Sequence, residues 1–358
     1  MRIGVVREGA AHERRVALIP QSVERLRPTG HEVLVERSAG EGAGFPDSAY
    51  EKAGARIASR DEILSQSDVV LSVQVPVADL PKVRAGGIVV GLVLAQRDAI
   101  LAAAREQNLK VLAMELVPRT TKAQSMDVLS SQATIAGYQA VLLGASHLSR
   151  LLPMLTTAAG TIPPGKAFIL GAGVAGLQAI ATARRLGAVV SAFDVRPVVK
   201  EQVQSLGATF IEAEAISAAA EGAGGYAREL ADEQQQKVLA AVGKHLPDMD
   251  LVITTAQIPG KPAPRLITRA MVQSMKPGSV IVDLAVETGG NCELSKPGET
   301  VSVGGVTILG PLNVPSQIPQ HASVMYSRNV QALLEHLTKE GKVVVANDDA
   351  VAGPMILK

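Results

Sequence analysis

Residues Ala167 to Gly187 read AFILGAGVAGLQAIATARRLG. The first four form an apolar run of strand length, and Leu177 to Leu186 is an alanine-rich, helix-forming stretch. Gly171, Gly173 and Gly176 stand between them at the spacing of a dinucleotide-binding strand-turn-helix unit. In such a unit Gly171 permits the tight turn, Gly173 lets the backbone approach a pyrophosphate, and Gly176 lets helix and strand pack closely. Amides at the helix start, among them those of Val174 and Ala175, face the anion. Asp194 ends the next apolar run, 18 residues after Gly176. A carboxylate there accepts hydrogen bonds from an adenosine ribose and repels a 2′-phosphate, so the unit reads as a site for NAD(H) in preference to NADP(H). Val195 and Arg196 follow, and Arg196 either softens that preference or is a solvated loop charge.

Working outward, short apolar runs alternate with helix-length stretches along the whole chain, the pattern of parallel sheets covered by helices. The fold class is α/β, with two doubly wound Rossmann-like domains joined by long helices. Strands of the first sheet are expected at Ile3 to Val6, Glu32 to Val35, Val69 to Val73, Ile88 to Leu92 and Val111 to Met114. Those of the second are expected at Ala167 to Leu170, Val189 to Phe193, Thr209 to Ile211, Leu251 to Thr254 and Val280 to Asp283. Helices from Gln132 to Leu152 and from Val324 to Leu337 read as the two connectors. The nucleotide-binding domain, residues 132–315, is then inserted into an N-terminal Rossmann-like domain made of residues 1–131 and 316–358.

With 358 residues, two cores are the natural division. Thirty-five basic residues against 34 acidic ones leave no basic stripe, and four Phe, four Tyr and no Trp provide little surface for stacking bases, so nucleic acid is not an expected partner. The single Cys292 forms no intramolecular disulfide, and the chain opens directly into a strand-like run, so a cytoplasmic setting is expected. No apolar run approaches the roughly 20 residues of a membrane span. None of the six histidines has metal-ligand spacing to Cys292 or to another histidine, so no metal site is expected, and each histidine reads as a surface or helix-end residue.

Four segments carry a resemblance that covers nearly the whole chain: Gly171 to Pro197, Arg119 to Tyr138, Thr254 to Pro264, and Lys276 to Cys292, the last reading KPGSVIVDLAVETGGNC. Together they resemble the soluble NAD(H)-binding domain I of proton-translocating nicotinamide nucleotide transhydrogenases. That resemblance implies transfer of hydride between NAD(H) on this chain and NADP(H) on a partner subunit. It further implies a membrane-spanning subunit that moves protons, a homodimer of this chain, and a peripheral place on the inner face of the cell membrane. It implies that Arg119, Gln124, Asp127 and Ser130 hold the nicotinamide end of the nucleotide, and that Gln257 and Tyr138 are nucleotide contacts. Gly224, Gly225 and Tyr226 match the family's mobile loop. The residues alone also allow plainer readings: a polar loop fixed by an Arg119 to Asp127 ion pair, with Ser130 or Ser131 capping a helix; a core tyrosine at Tyr138; a polar strand end at Gln257; a linker around Tyr226.

Alanine dehydrogenases share this plan and are the nearest competing reading. Their substrate-binding lysine and catalytic histidine fall at Gln74 and Val93 here, and neither residue can hold a carboxylate or shuttle a proton. Arg15 and Asp283 persist, each explicable as a member of a structural ion pair. Oxidising an amino acid requires a proton acceptor, whereas exchange between two nicotinamides does not. A third reading, a non-catalytic NAD sensor, keeps Asp194 and the glycine turn but needs no exposed nicotinamide edge.

Overall fold

The computed structural model describes residues 1–93, 96–212, 232–258 and 261–358. The chain folds into two compact units, Met1–Gln132 with Pro315–Lys358, and Ala133–Val314. Each is an α/β Rossmann-like unit. The division falls inside the helix Val128–His147 and again at the short 3-10 turn Val314–Gln317. The helix expected from Val324 begins at Pro319, ends at Leu337 and lies wholly in the first unit.

The first unit is built on six strands, β1 (Arg2–Val5), β2 (Glu32–Glu36), β3 (Arg56–Ala58), β4 (Val69–Gln74), β5 (Ile88–Leu92) and β6 (Lys110–Ala113). They lie in the order β3-β2-β1-β4-β5-β6, with every neighbouring pair parallel. Val69, Val70, Leu71 and Val73 are at most 1% exposed, since both faces of the sheet are covered and a continuous apolar run is what such a strand requires. β3 was not expected: its three residues, only one of them buried, carry too little pattern to be read. His31, expected at the surface, is buried at the start of β2, where its Nε2 lies 3.0 Å from Thr338 Oγ1.

In the second unit a short hairpin of β7 (Leu155–Thr157) and β8 (Gly160–Ile162) precedes the main sheet. That sheet has seven strands, β9 (Lys166–Leu170), β10 (Val189–Phe193), β11 (Thr209–Ile211), β12 (Leu251–Thr254), β13 (Val280–Asp283), β14 (Thr300–Val303) and β15 (Val306–Leu309). Their order is β11-β10-β9-β12-β13-β15-β14, all neighbours parallel except the β14/β15 hairpin. That hairpin also went unread, although Gly304 and Gly305, both at positive φ, are the dipeptide that a tight two-residue hairpin favours.

Helix Val128–His147 packs onto this second sheet through its glycines. A Cβ on Gly137 would lie 2.1 Å from the carbonyl oxygen of Ala175, and one on Gly144 would lie 2.3 Å from Leu251 Cδ1. Glycine in a helix interior costs about 1 kcal/mol relative to alanine. Here the close approach of two backbones requires it. Gly137→Ala is therefore expected to destabilise the second unit, by about 1–3 kcal/mol as for other overpacked contacts, in place of the gain that helix propensity alone implies. Urea unfolding of the variant measures this.

Candidate functional site

The glycine turn lies at the carboxyl end of β9, where the strand order reverses between β9 and β12, the position at which open α/β sheets leave a crevice. Gly171 has φ +97°, and a Cβ there would lie 2.6 Å from Thr255 Oγ1. A Cβ on Gly176 would lie 1.8 Å from the Gly171 carbonyl oxygen. Gly173 differs from both: its nearest neighbour would be Arg196 Nη2 at 4.0 Å, so the space over it is open. The helix Val174–Arg185 starts at Gly173 with no side-chain cap, and Val174 at its first position is exposed. Uncapped amides beneath open space are an anion site.

Asp194 stands at the end of β10, beside this turn. Its Oδ2 accepts from the Ala172 amide at 2.7 Å and from Arg196 Nη2 at 2.8 Å, and its Oδ1 accepts from the Arg196 amide and Nε, both at 2.9 Å. The side chains of Asp194 and Arg196 are only 6% and 13% exposed. Arg196 is thus no solvated loop charge. It grips the carboxylate through two nitrogens, the strongest geometry available to an arginine-carboxylate pair. Val195, between them, packs against the core beneath the sheet.

Thr255 and Ala256 follow β12 and form the other wall of the turn. Thr255 Oγ1 donates to the Gly171 carbonyl at 3.0 Å. Gln257 is exposed, with Nε2 donating to the Leu284 carbonyl at 3.2 Å. Tyr138, one residue beyond the tight contact of Gly137 with Ala175, is 42% exposed and is not the core residue that its apolar helix suggests. Gly225 and Tyr226 lie outside the described residues.

Arg119, Gln124, Asp127 and Ser130 are brought together in one loop of the first unit. Ala123 and Met126 are buried in that unit's core, and Asn329 Nδ2 donates to the Ser125 carbonyl at 2.7 Å, so the loop is anchored from beneath while Arg119 and Gln124 stay exposed. Asp127 caps the helix that begins at Val128: its Oδ1 accepts from the Ser130 amide at 2.9 Å and its Oδ2 from Ser130 Oγ at 2.6 Å. The cap is therefore Asp127 and neither Ser130 nor Ser131. Both carboxylate oxygens serve the helix start, and an Arg119 to Asp127 ion pair does not form among the described residues.

Two family models match this chain: alanine dehydrogenase/PNT, N-terminal domain, over residues 4–136, and alanine dehydrogenase/PNT, C-terminal domain, over residues 140–358. The chain belongs to the alanine dehydrogenase/PNT family. It is 47% identical over 371 residues to an NAD(P) transhydrogenase subunit alpha of Rhodospirillum rubrum, covering 100% of this chain and 96% of that protein. A crystal structure of transhydrogenase from Sinorhizobium meliloti matches with a TM-score of 0.90 at 47% identity, over 100% of this chain and 98% of that one. An alanine dehydrogenase of Halomonas elongata is more distant, at 30% identity over 363 residues, 98% of this chain and 92% of that protein.

Against this family background the first unit's own crevice, between the carboxyl ends of β1 and β4, is informative. The chain's own side chains fill it. Glu8, three residues past β1, accepts from the Val73 amide at 2.6 Å and the Gln74 amide at 3.2 Å. Arg15 Nη2 pairs with Glu13 Oε2 at 2.6 Å, the two side chains being 4% and 0% exposed, and Arg15 Nη1 donates to Gln132 at 2.7 Å. Gln74 Nε2 donates to the same Glu13 oxygen at 3.0 Å. Val93, 4% exposed, presents its amide to Glu115. Asp283, expected in an ion pair, instead ends β13 fully buried and accepts from Thr254 Oγ1, Ser295 Oγ and the amides of Ala285 and Cys292. Four neutral donors replace the cation.

Two expectations follow. Burial pushes the Glu8 carboxyl up from its ordinary 4.5 to about 8, with the nearby Glu13 adding to the shift against the two amides that lower it. A carboxyl raised in the folded state binds protons there that the unfolded chain has released, so its contribution to stability falls as pH rises from about 4.5 to about 8. Urea unfolding of wild type and Glu8→Gln across that range should show the wild type losing stability relative to the variant, at no more than about 1.4 kcal/mol per pH unit. Parallel profiles would exclude the titration. At the glycine turn, Gly173→Ala should leave folding almost unaltered, within the roughly 1 kcal/mol that loss of a glycine N-cap costs. Gly176→Ala should unfold or severely destabilise the second unit, because a backbone oxygen occupies the place of its Cβ. Thermal melts of the pair distinguish open from closed glycines.

Proposed function

We propose that this chain is the NAD(H)-binding subunit of a proton-translocating transhydrogenase, exchanging hydride with NADP(H) held by a partner subunit while a membrane-spanning subunit moves protons. The observation that carries the reading is the open space over Gly173 between uncapped helix amides and Asp194, in a chain 47% identical over its full length to a transhydrogenase alpha subunit. The residues fit the nucleotide. The amides after Gly173 take the pyrophosphate. Asp194 takes the adenosine ribose, whose hydroxyls exchange for part of the Arg196 fork, since the carboxylate's four acceptor positions are otherwise taken within the protein. Arg196, released in that exchange, stays beside the ribose and, with Val195, Val174, Ala175 and Gln257, borders the nucleotide.

Bound NAD(H) supplies or accepts the hydride. What the chain contributes is position and exclusion of water. Gln124 carries both a donor and an acceptor for a carboxamide, and the anchored loop presents it with Arg119. Asp127 and Ser130 hold that loop's exit by capping the helix, so their part is to fix where Gln124 stands. Tyr138, Gly225 and Tyr226 complete the expected contacts. One nucleotide per chain follows from the filled crevice of the first unit, so NADP(H) arrives on the partner.

The same filling disfavours an alanine dehydrogenase. Arg15, the group left to take a substrate carboxylate, is committed to buried Glu13, and separating such a pair costs about 3–5 kcal/mol. No helix among the described residues is long and apolar enough to cross a membrane, which fits peripheral attachment on the cytoplasmic side through the membrane-spanning subunit. A homodimer belongs to this reading, with the exposed apolar residues Met154, Leu155 and Ile162 of the β7/β8 hairpin region as surface for a second copy.

The test is single-turnover transfer from NADH to thionicotinamide-NADP+ held by an NADP(H)-binding subunit. Transfer that requires both subunits supports the reading. NADH binding without transfer leaves an NAD sensor, and alanine-dependent reduction of NAD+ leaves an amino acid dehydrogenase. Within the reading, Gln124→Ala is expected to slow transfer about 100-fold, as for a misplacement near 1 Å, with NADH affinity little altered. Asp127→Ser, which keeps a capping oxygen, should fold normally and slow transfer less. Wild-type transfer in Gln124→Ala at saturating NADH would return the loop to a solvated connector.

A further inference from the structure

Beneath the loop that follows β12 lies a side chain to which neither the spacing nor the resemblance gives a role. Asn291 is fully buried, and every polar atom of its amide is spent on that loop. Its Oδ1 accepts from the Ala256 amide at 3.0 Å, and its Nδ2 donates to the carbonyls of Ala256 and Pro264, both at 2.8 Å. The Asn291 carbonyl in turn accepts from the amides of Leu266 and Ile267 at 2.8 and 3.0 Å. One residue thus straps both limbs of the segment to the sheet.

What the strap holds is specific. Ala256, gripped at both its amide and its carbonyl, sits between Thr255 and Gln257. Thr255 touches the glycine turn through its hydroxyl, and Gln257 is the exposed polar residue of the loop. The Ala256 amide would itself stand 3.1 Å from a Cβ on Gly171, so a shift of Ala256 is transmitted to the turn on one side and to Gln257 on the other. Asn291 is also seated independently of the loop. Its neighbour Cys292 donates its amide to Asp283 Oδ2 at 3.0 Å, and Asp283 bonds Thr254 at the end of β12.

We propose that Asn291 is a positioning residue for hydride transfer: acting through Ala256, it sets the height of the Gln257 loop relative to the glycine turn and so the orientation of the nicotinamide half of the nucleotide. The proposal rests on the functional reading above. The pyrophosphate and adenosine keep their own contacts at Gly173 and Asp194, so loss of the strap acts on geometry at the reacting end more than on affinity.

The experiment uses the full chain with the NADP(H)-binding subunit, NADH as donor and thionicotinamide-NADP+ as acceptor. Asn291→Ala and Asn291→Ser are compared with Gln257→Ala and with the Asn291→Ala/Gln257→Ala double variant, each checked for folding by thermal melt. NADH affinity within about threefold of wild type, with transfer slowed roughly 10- to 100-fold, is expected for Asn291→Ala. Asn291→Ser, which keeps one hydroxyl, should recover some of the rate. The double variant should be no slower than the slower single, because the two residues act in series. Ser295→Ala, which weakens the Asp283 network without touching the loop, serves as a stability control and should lower the melting temperature while leaving transfer unchanged. If Asn291→Ala melts too low to assay, the Asn291→Ser rate alone decides. Wild-type transfer in folded Asn291 variants, a parallel fall of affinity and rate, or multiplicative effects in the double variant overturns the proposal. Absence of transfer in the wild-type pair is a different result, one that removes the functional reading itself.

Discussion

The Gly171 carbonyl oxygen occupies the place where any side chain on Gly176 would begin, 1.8 Å from an ideal Cβ, and the second unit is organised around that contact. It draws the first turn of the helix Val174–Arg185 down onto the end of β9 and leaves its amides pointing over Gly173. The same carbonyl accepts the Thr255 hydroxyl, which ties the neighbouring strand end to the turn. From there the chain of contacts runs through Ala256 to Asn291 and through Thr254 to Asp283, so a polar framework with no exposed member other than the loop itself supports the crevice. Buried polar groups that are fully satisfied in this way rigidify a site, whereas a partly satisfied set destabilises it.

The two units share one strand order, yet their crevices differ in kind. In the second, glycines keep the backbone bare and the space open. In the first, the loop after β1 carries Glu8, Glu13 and Arg15 into the equivalent place, where the amides at the end of β4 are satisfied by a carboxyl of the chain itself. An internal anion thereby takes the role that a ligand's anion plays elsewhere in this topology. A buried arginine-glutamate pair contributes little net stability. Its consequence here is occupancy, because the Arg15 guanidinium is already committed to Glu13 and Gln132 where a substrate carboxylate would need it.

Much of this was legible in the residues. Continuous apolar runs mark strands buried on both faces, and the three glycines mark the turn, because only glycine meets the conformational and steric demands at Gly171 and Gly176. The strand β3 left no such mark, being short and half-exposed. The β14/β15 hairpin did leave one, in Gly304 and Gly305 between alternating residues, and was overlooked. Asp194 was recognisable by its distance from the turn. That Arg196 grips it was not, because a loop arginine has the same sequence whether solvated or folded back.

The sequence by itself determined the two-sheet α/β class, the glycine turn, the acidic strand end and the family resemblance, since each depends on local spacing or on residue type. Only the tertiary structure decided that Asp127 caps a helix, that Asp283 is held by neutral donors, that Gly137 is needed for a helix crossing, and that Asn291 straps a loop. Each of these depends on which atoms meet across the fold. Asn291 lies 35 residues from Ala256, and Gly137 lies 38 residues from Ala175, a separation at which no periodicity or propensity carries information about contact.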